Sequence, residues 1–155
     1  MAKISKDIPL SEITLRKYEK PYDASPRELS RKLCLSIGLL QPGDSRDIMV
    51  DILETLLQHR ESKKLLTSEE IKDIVIKSRK KQNLPLKGIA SSNVRRQLKR
   101  LKDIHLVENI KNEYRITEFE NLSVIFNKKI KDFYLKNILE RVEEYFNKLK
   151  WFTNL

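Results

Sequence analysis

Residues 48–57, IMVDILETLL, constrain the fold more than any other stretch of the chain. On an α-helix Ile48, Met49, Val50, Ile52, Leu53, Leu56 and Leu57 wrap around most of the circumference. A helix that is apolar on nearly every side belongs in the middle of a core, so other elements must be packed around it. Its start is marked by the Pro42-Gly43 break, with Asp44 as the expected cap and Asp47 favourably placed in the first turn.

The neighbouring segments supply those elements. In DASPRELSRKLCLSIG, Ser25 can cap, Pro26 suits the first helical position and Glu28 completes a capping box; Leu29, Leu33 and Ile37 then share a face, and Gly38 is the expected stop. Cys34 lies beside that face and reads as a small buried apolar residue. A further helix follows Thr67 and Glu70, a second capping box, with Ile71, Ile74, Val75 and Ser78 along one side. Leu65 and Leu66 ahead of it can form a very short strand. Before Pro21 a weak helical pattern runs through Ile13, Leu15 and Tyr18.

The segment IASSNVRRQLKRL has only Val94, Leu98 and Leu101 on its apolar side, spaced i, i+4, i+7. Ser92, Arg96, Lys99 and Arg100 fall roughly opposite that stripe, with Asn93 and Arg95 at the flanks and Ser91 as the expected cap. The outer face of this helix is therefore cationic. The formal net charge is +10 over 155 residues, and residues 82–105 hold six basic side chains against one acidic, a net of +5. Half of the excess thus sits in and around one helix, which points to a polyanionic partner.

The period then changes. Leu106, Glu108 and Ile110 alternate with Val107 and Asn109, and Tyr114 and Ile116 flank Arg115, which predicts two short strands with Lys111 and Asn112 at the turn. From about residue 127 to 152 a last helix carries Leu135, Ile138, Val142, Tyr145, Leu149 and Phe152 at alternating spacings of three and four, a heptad seam. Leu139 and Phe146 form a second apolar row beside it. That width predicts a helix that contacts both its own domain and a second copy of the chain, with intramolecular packing alone as the competing reading.

Helix, short strand, helix, basic helix and two-stranded hairpin, over residues 45–117, resemble the winged helix-turn-helix of transcription regulators. TSEEIKDIV, ASSNVRRQLKRLKDIHLVE and NEYRIT carry the resemblance, and the flanking helices are similar to those of dimeric archaeal and bacterial regulators. The expected fold class is mainly α with a small β-hairpin. It comprises an N-terminal helical extension (1–40), a winged-helix domain (41–117) and a C-terminal helical dimerisation region (118–155). The loop from Gln82 to Gly88 is longer than the tight turn of a simple helix-turn-helix.

The resemblance implies that residues 91–102 enter the major groove of double-stranded DNA. Arg95, Arg96, Lys99 and Arg100 would grip phosphates or guanine edges, Asn93 would read adenine, and Ser91 and Ser92 suit a phosphate at the helix start. Lys111 and Arg115 in the hairpin would touch the backbone or minor groove. A homodimer built on the last helix would double the site and match a palindrome.

Other function classes fare worse. The chain has three glycines, no glycine-rich phosphate loop, no nucleophile with an evident base and no metal-ligand spacing around its single cysteine and two histidines. No enzyme activity, metal or cofactor is expected. A noncatalytic winged-helix module that binds protein or RNA is the alternative, although no aromatic stacking platform accompanies the basic face. No apolar run approaches the roughly 18 residues of a membrane span, so the expected location is the cytoplasm.

Overall fold

The computed structural model describes residues 7–150. The chain is mainly helical with one small antiparallel sheet. In order come α1 (Pro26–Ser36), α2 (Ile48–Gln58), β1 (Leu66–Thr67), α3 (Ser68–Lys81), α4 (Ser91–Asp103), β2 (Val107–Ile110) and β3 (Glu113–Ile116). A continuous helical rod follows, made of α5 (Leu122–Ile125), a π-helical stretch (Phe126–Leu135) and α6 (Lys136–Leu149).

The apolar helix takes the central position its sequence demands. Ile48, Met49, Val50, Ile52, Leu53 and Leu56 of α2 are buried, and the helix packs against α1, α3, α4 and β3. Two charged side chains are buried with it. Arg79 of α3 is only 1% exposed and its Nη1 contacts Asp51 Oδ2 at 2.5 Å and Asp47 Oδ1 at 3.0 Å. Arg27 of α1 reaches the same carboxylates, at 2.8 Å to Asp51 and 3.3 Å to Asp47. Arg79 Nε also donates to the carbonyl of Pro85 at 2.6 Å. One ion cluster thus ties α1, α2, α3 and the 82–88 loop together, and through the loop it fixes where α4 begins.

The sheet has the order β1-β3-β2, all antiparallel. Val107 pairs with Ile116 and Ile110 with Glu113, and Leu66 of the two-residue β1 pairs with Tyr114 on the other side of β3. Lys111 and Asn112 take φ of 50° and 66°, the left-handed pair that a tight hairpin turn requires. Ile116 is fully buried, and Tyr114 packs against the core.

Several local expectations hold and others need correcting. Thr67 and Glu70 form a reciprocal capping box, and α1 ends just before Gly38 with its φ of 77°; Ser25 caps α1 by accepting from Glu28 N, but the Glu28 side chain does not complete the expected box. Asp44 does not cap α2: the N-cap is Asp47, and Asp44 instead accepts from the backbone of Arg46. Ser91 does not cap α4 either, because the helix starts one residue earlier than expected, from Ala90.

The pattern at Ile13, Leu15 and Tyr18 is not a helix. Residues 8–22, which contain neither helix nor strand, form a strap that crosses the end of α1. The Arg16 backbone donates to Ser36 O, and its guanidinium donates to Leu35 O at 2.7 Å and Leu40 O at 3.2 Å. The Leu35 and Ser36 carbonyls lie in the last turn of α1, where a helix leaves acceptors unpaired, and Leu40 belongs to the turn that follows it; bonding all three ties the strap to this end of the helix. A side chain at Gly38 would meet Thr14 of the strap at 2.6 Å, so the close crossing requires glycine there.

The final rod starts at Leu122, earlier than the expected 127, and its first part does not keep the α-helical period. Ile125 and Ile130, five residues apart, are both buried, and Leu135, five further on, is half-buried. That is the i, i+5 spacing of the π-helical stretch. Tyr134 OH donates to Glu12 O at 3.0 Å and so pins the strap to the rod. No helix among the described residues is long and apolar enough to cross a membrane.

Candidate nucleic-acid interface

α4 divides into two faces. Val94, Leu98 and Leu101 are fully buried against the core, which aims the opposite face outward. Ser92, Arg95, Arg96 and Lys99 are exposed on that face. Among the described residues Arg95 and Arg96 form no ion pair, while Lys99 makes an exposed i,i+4 contact with Asp103 at 3.1 Å. Such a pair adds little and yields readily to a competing anion.

The remaining residues expected in the site are engaged inside the protein. Asn93 Nδ2 donates to the carbonyl of Gly88 at 2.7 Å, and its Oδ1 accepts from Gln97 at 3.0 Å. Its amide therefore holds the loop that leads into α4. Arg100 is half-buried, donating to Gln97 Oε1 at 2.8 Å and to the Gly38 carbonyl at 3.0 Å, so it braces α4 against the end of α1. Ser91 Oγ accepts from Lys72 Nζ of α3 at 3.0 Å. In the hairpin, Arg115 pairs with Glu108 across the strands at 2.7 Å and lies over the Phe119 ring, whereas Lys111 stands exposed at the tip.

One cation at this face was not evident from the sequence pattern. Arg46, exposed in the loop before α2, lines a groove of about 390 Å³ together with Ser92, Asn93, Arg96 and Arg100. It is 50 residues from Arg96 in the chain, and no periodicity could have joined them. Gly88, with φ of 83°, borders the same groove; a side chain there would press on Asn93 Nδ2 at 3.1 Å.

The residues expected at a dimer interface lie on the rod and not on α4. Leu135 and Ile138 are half-buried, and Val142, Tyr145 and Leu149 are 45%, 68% and 62% exposed. Phe152 lies outside the described residues. Leu139 and Phe146, the second row, are 59% and 73% exposed, and α6 buries none of its residues.

No family model matches the chain, and no curated protein or solved structure matches it.

Proposed function

We propose that the protein is a winged-helix DNA-binding homodimer that reads duplex sequence with α4 and acts in transcription regulation. The observation that carries this reading is the exposed cationic face of α4, with Ser92, Arg95, Arg96 and Lys99 side by side on a helix whose other face is locked into the core. The order of elements from α2 to β3 and the strand order β1-β3-β2 support the winged-helix assignment.

Arg95 and Arg96 are the side chains free to meet base edges or phosphates, and Ser92 sits in the first turn, where backbone amides favour a phosphate. Arg46, which shares a groove with Ser92 and Arg96, and the exposed Lys111 at the hairpin tip are suited to the backbone, fixing register without reading sequence. Asn93, Arg100 and Arg115 serve this surface indirectly by holding its parts in place. A single module reads few base pairs, and pairing through α6 would supply the second half-site.

Selection from random duplex DNA at moderate salt tests this. An enriched inverted repeat is the expected result. A pool that stays random, or enrichment of a motif that R95A/R96A still binds unchanged, contradicts the assignment of α4.

A further inference from the structure

The rod leaves a large apolar surface uncovered, and its layout indicates how two copies would meet. On α6, taking Val142 as the centre, Ile138, Tyr145 and Leu149 fall to one side and Leu135, Leu139 and Phe146 to the other, within an arc of about 120° at 100° per residue. The two sides differ. Along the first runs the beginning of the strap, so Ile8 and Leu10 form one wall of a groove of about 610 Å³ and Ile138, Val142 and Tyr145 the other. Among the described residues the second side has no such wall: Leu139 and Phe146, 59% and 73% exposed, stand out as a ridge, and the open groove beside them is formed by the rod's own residues alone.

We infer that two copies pair with α6 parallel, and that the Leu139 and Phe146 ridge of each enters the partner's groove between the strap and α6. This rests on the homodimer reading above and adds its orientation, its register and the strap as part of the interface.

Three observations carry it. The first is symmetry: a twofold axis parallel to the helices sets the first side of each copy against the second side of the other, so groove meets ridge twice. A perpendicular axis would set groove against groove and strap against strap. The second is charge. Arg141, paired with Glu144 of its own helix at 2.7 Å, and Lys148 border the first side, and Glu143 and Lys136 the second, so the parallel arrangement sets the basic edge of each copy against the partner's mixed edge, whereas the perpendicular axis would bring the two basic edges together. Within α6 Lys136, Arg141 and Lys148 balance Glu140, Glu143 and Glu144, so this face escapes the repulsion expected of a chain carrying +10.

The third is area. Tyr145 and Phe146, at 68% and 73% exposure, offer roughly 280 Å² per copy if an aromatic side chain buries about 200 Å². Two copies then reach roughly 560 Å², below the roughly 1,200–2,000 Å² of a specific interface. Leu139, Val142 and Leu149 add to this, and so do Ile8 and Leu10, which are 64% and 93% exposed in the single chain. The strap is thus part of what brings the interface to a stable size.

Cross-linking through introduced cysteines tests the arrangement. Cys34 is fully buried and burial pushes its thiol up to about 12, so in the native protein an introduced cysteine is the reactive one. L149C is expected to form a disulfide with its own copy, and a mixture of L10C and F146C a disulfide between unlike copies. L10S is expected to raise the dimer dissociation constant on the order of tenfold. If L149C links to L135C and not to itself, the parallel orientation is overturned and the homodimer stands. An L149C link with neither an L10C–F146C link nor an effect of L10S removes the strap from the interface. A wild-type chain that sediments as a dimer while none of these pairs link means that another face joins the copies. Monomeric sedimentation at tens of micromolar overturns the homodimer reading itself.

Discussion

Arg79 and Asp51 do for the position of α4 what no exposed residue does, because their buried pair anchors the loop that precedes it. Removing Asp51 takes away the nearer of the two carboxylates that face the buried Arg79 and leaves Asp47 alone to balance it, at a cost of about 3 kcal/mol, the low end for breaking a buried pair. Asp51→Ala should therefore lower stability by that order in chemical denaturation, although Asp51 does not line the groove beside α4. Arg96 and Arg100 make a sharper contrast, since both lie on α4 and both are arginine. Arg96 is exposed, whereas Arg100 donates to Gln97 and to the Gly38 carbonyl. Arg96→Ala is expected to weaken duplex binding by about 1–3 kcal/mol with stability unchanged. Arg100→Ala should lose about 1.5 kcal/mol of stability, the scale of a hydrogen bond from a charged group. Equal effects of the two on DNA binding, measured beside their unfolding midpoints, would erase the distinction drawn between them. The sequence could not separate them: a helical wheel shows which residues avoid the apolar stripe, but Gly38 is 62 residues from Arg100, and only the folding of both α1 and α4 onto α2 brings the turn after α1 within reach.

The helices and strands that periodicity marked strongly are present: α2 with apolar residues all round, α3 behind its capping box, α4 with its narrow stripe, and the hairpin with its left-handed turn. What the pattern missed follows from competition by tertiary contacts. Ile13 and Tyr18 pack on the core from a strap that Arg16 ties to the carbonyls of Leu35, Ser36 and Leu40, contacts distant in sequence that no local period encodes. The rod's first section buries Ile125 and Ile130 at a spacing of five, a period outside the α-helical template. That section meets His105, whose ring lies edge-on to Phe133 and Tyr134, at 6.1 and 5.4 Å between centroids. Partial burial, reinforced by the charge of Lys129, holds the His105 imidazole below its usual range, while Asp103 opposes the shift. The folded state thus takes up its proton at lower pH than the unfolded chain does. Stability is complete above the unfolded value of about 6.5 and falls as the pH drops below it, levelling off once the folded form also protonates. Unfolding followed from pH 7.5 to 5 should show this decline in the wild type and a smaller one in His105→Gln; identical pH dependence in the two would remove His105 as its source.

The densest run of exposed apolar side chains, Leu139, Val142, Tyr145, Phe146 and Leu149, lies on α6, whose own charges cancel, whereas α4 presents Arg95, Arg96 and Lys99. In the proposed account the two helices therefore take different partners, a second copy for α6 and duplex DNA for α4. Val142→Glu places a charge at the centre of the α6 arc and is expected to give monomers by sedimentation that still bind DNA, with weakened binding to a paired site. Loss of all DNA binding in such a monomer would mean that the rod, and not α4, makes the contact. The proposed DNA-binding face is tested most directly by titrating duplex DNA across salt concentrations with the wild type and with R95A/R96A/K99A. Counterion release makes the logarithm of the binding constant fall linearly with that of salt, by about 0.9 for each phosphate contact. The wild type is predicted to show a steep slope, and the triple variant a slope shallower by up to about 2.7 with the same unfolding midpoint. A wild type that does not bind duplex DNA, or a triple variant that keeps both affinity and slope, would contradict the account.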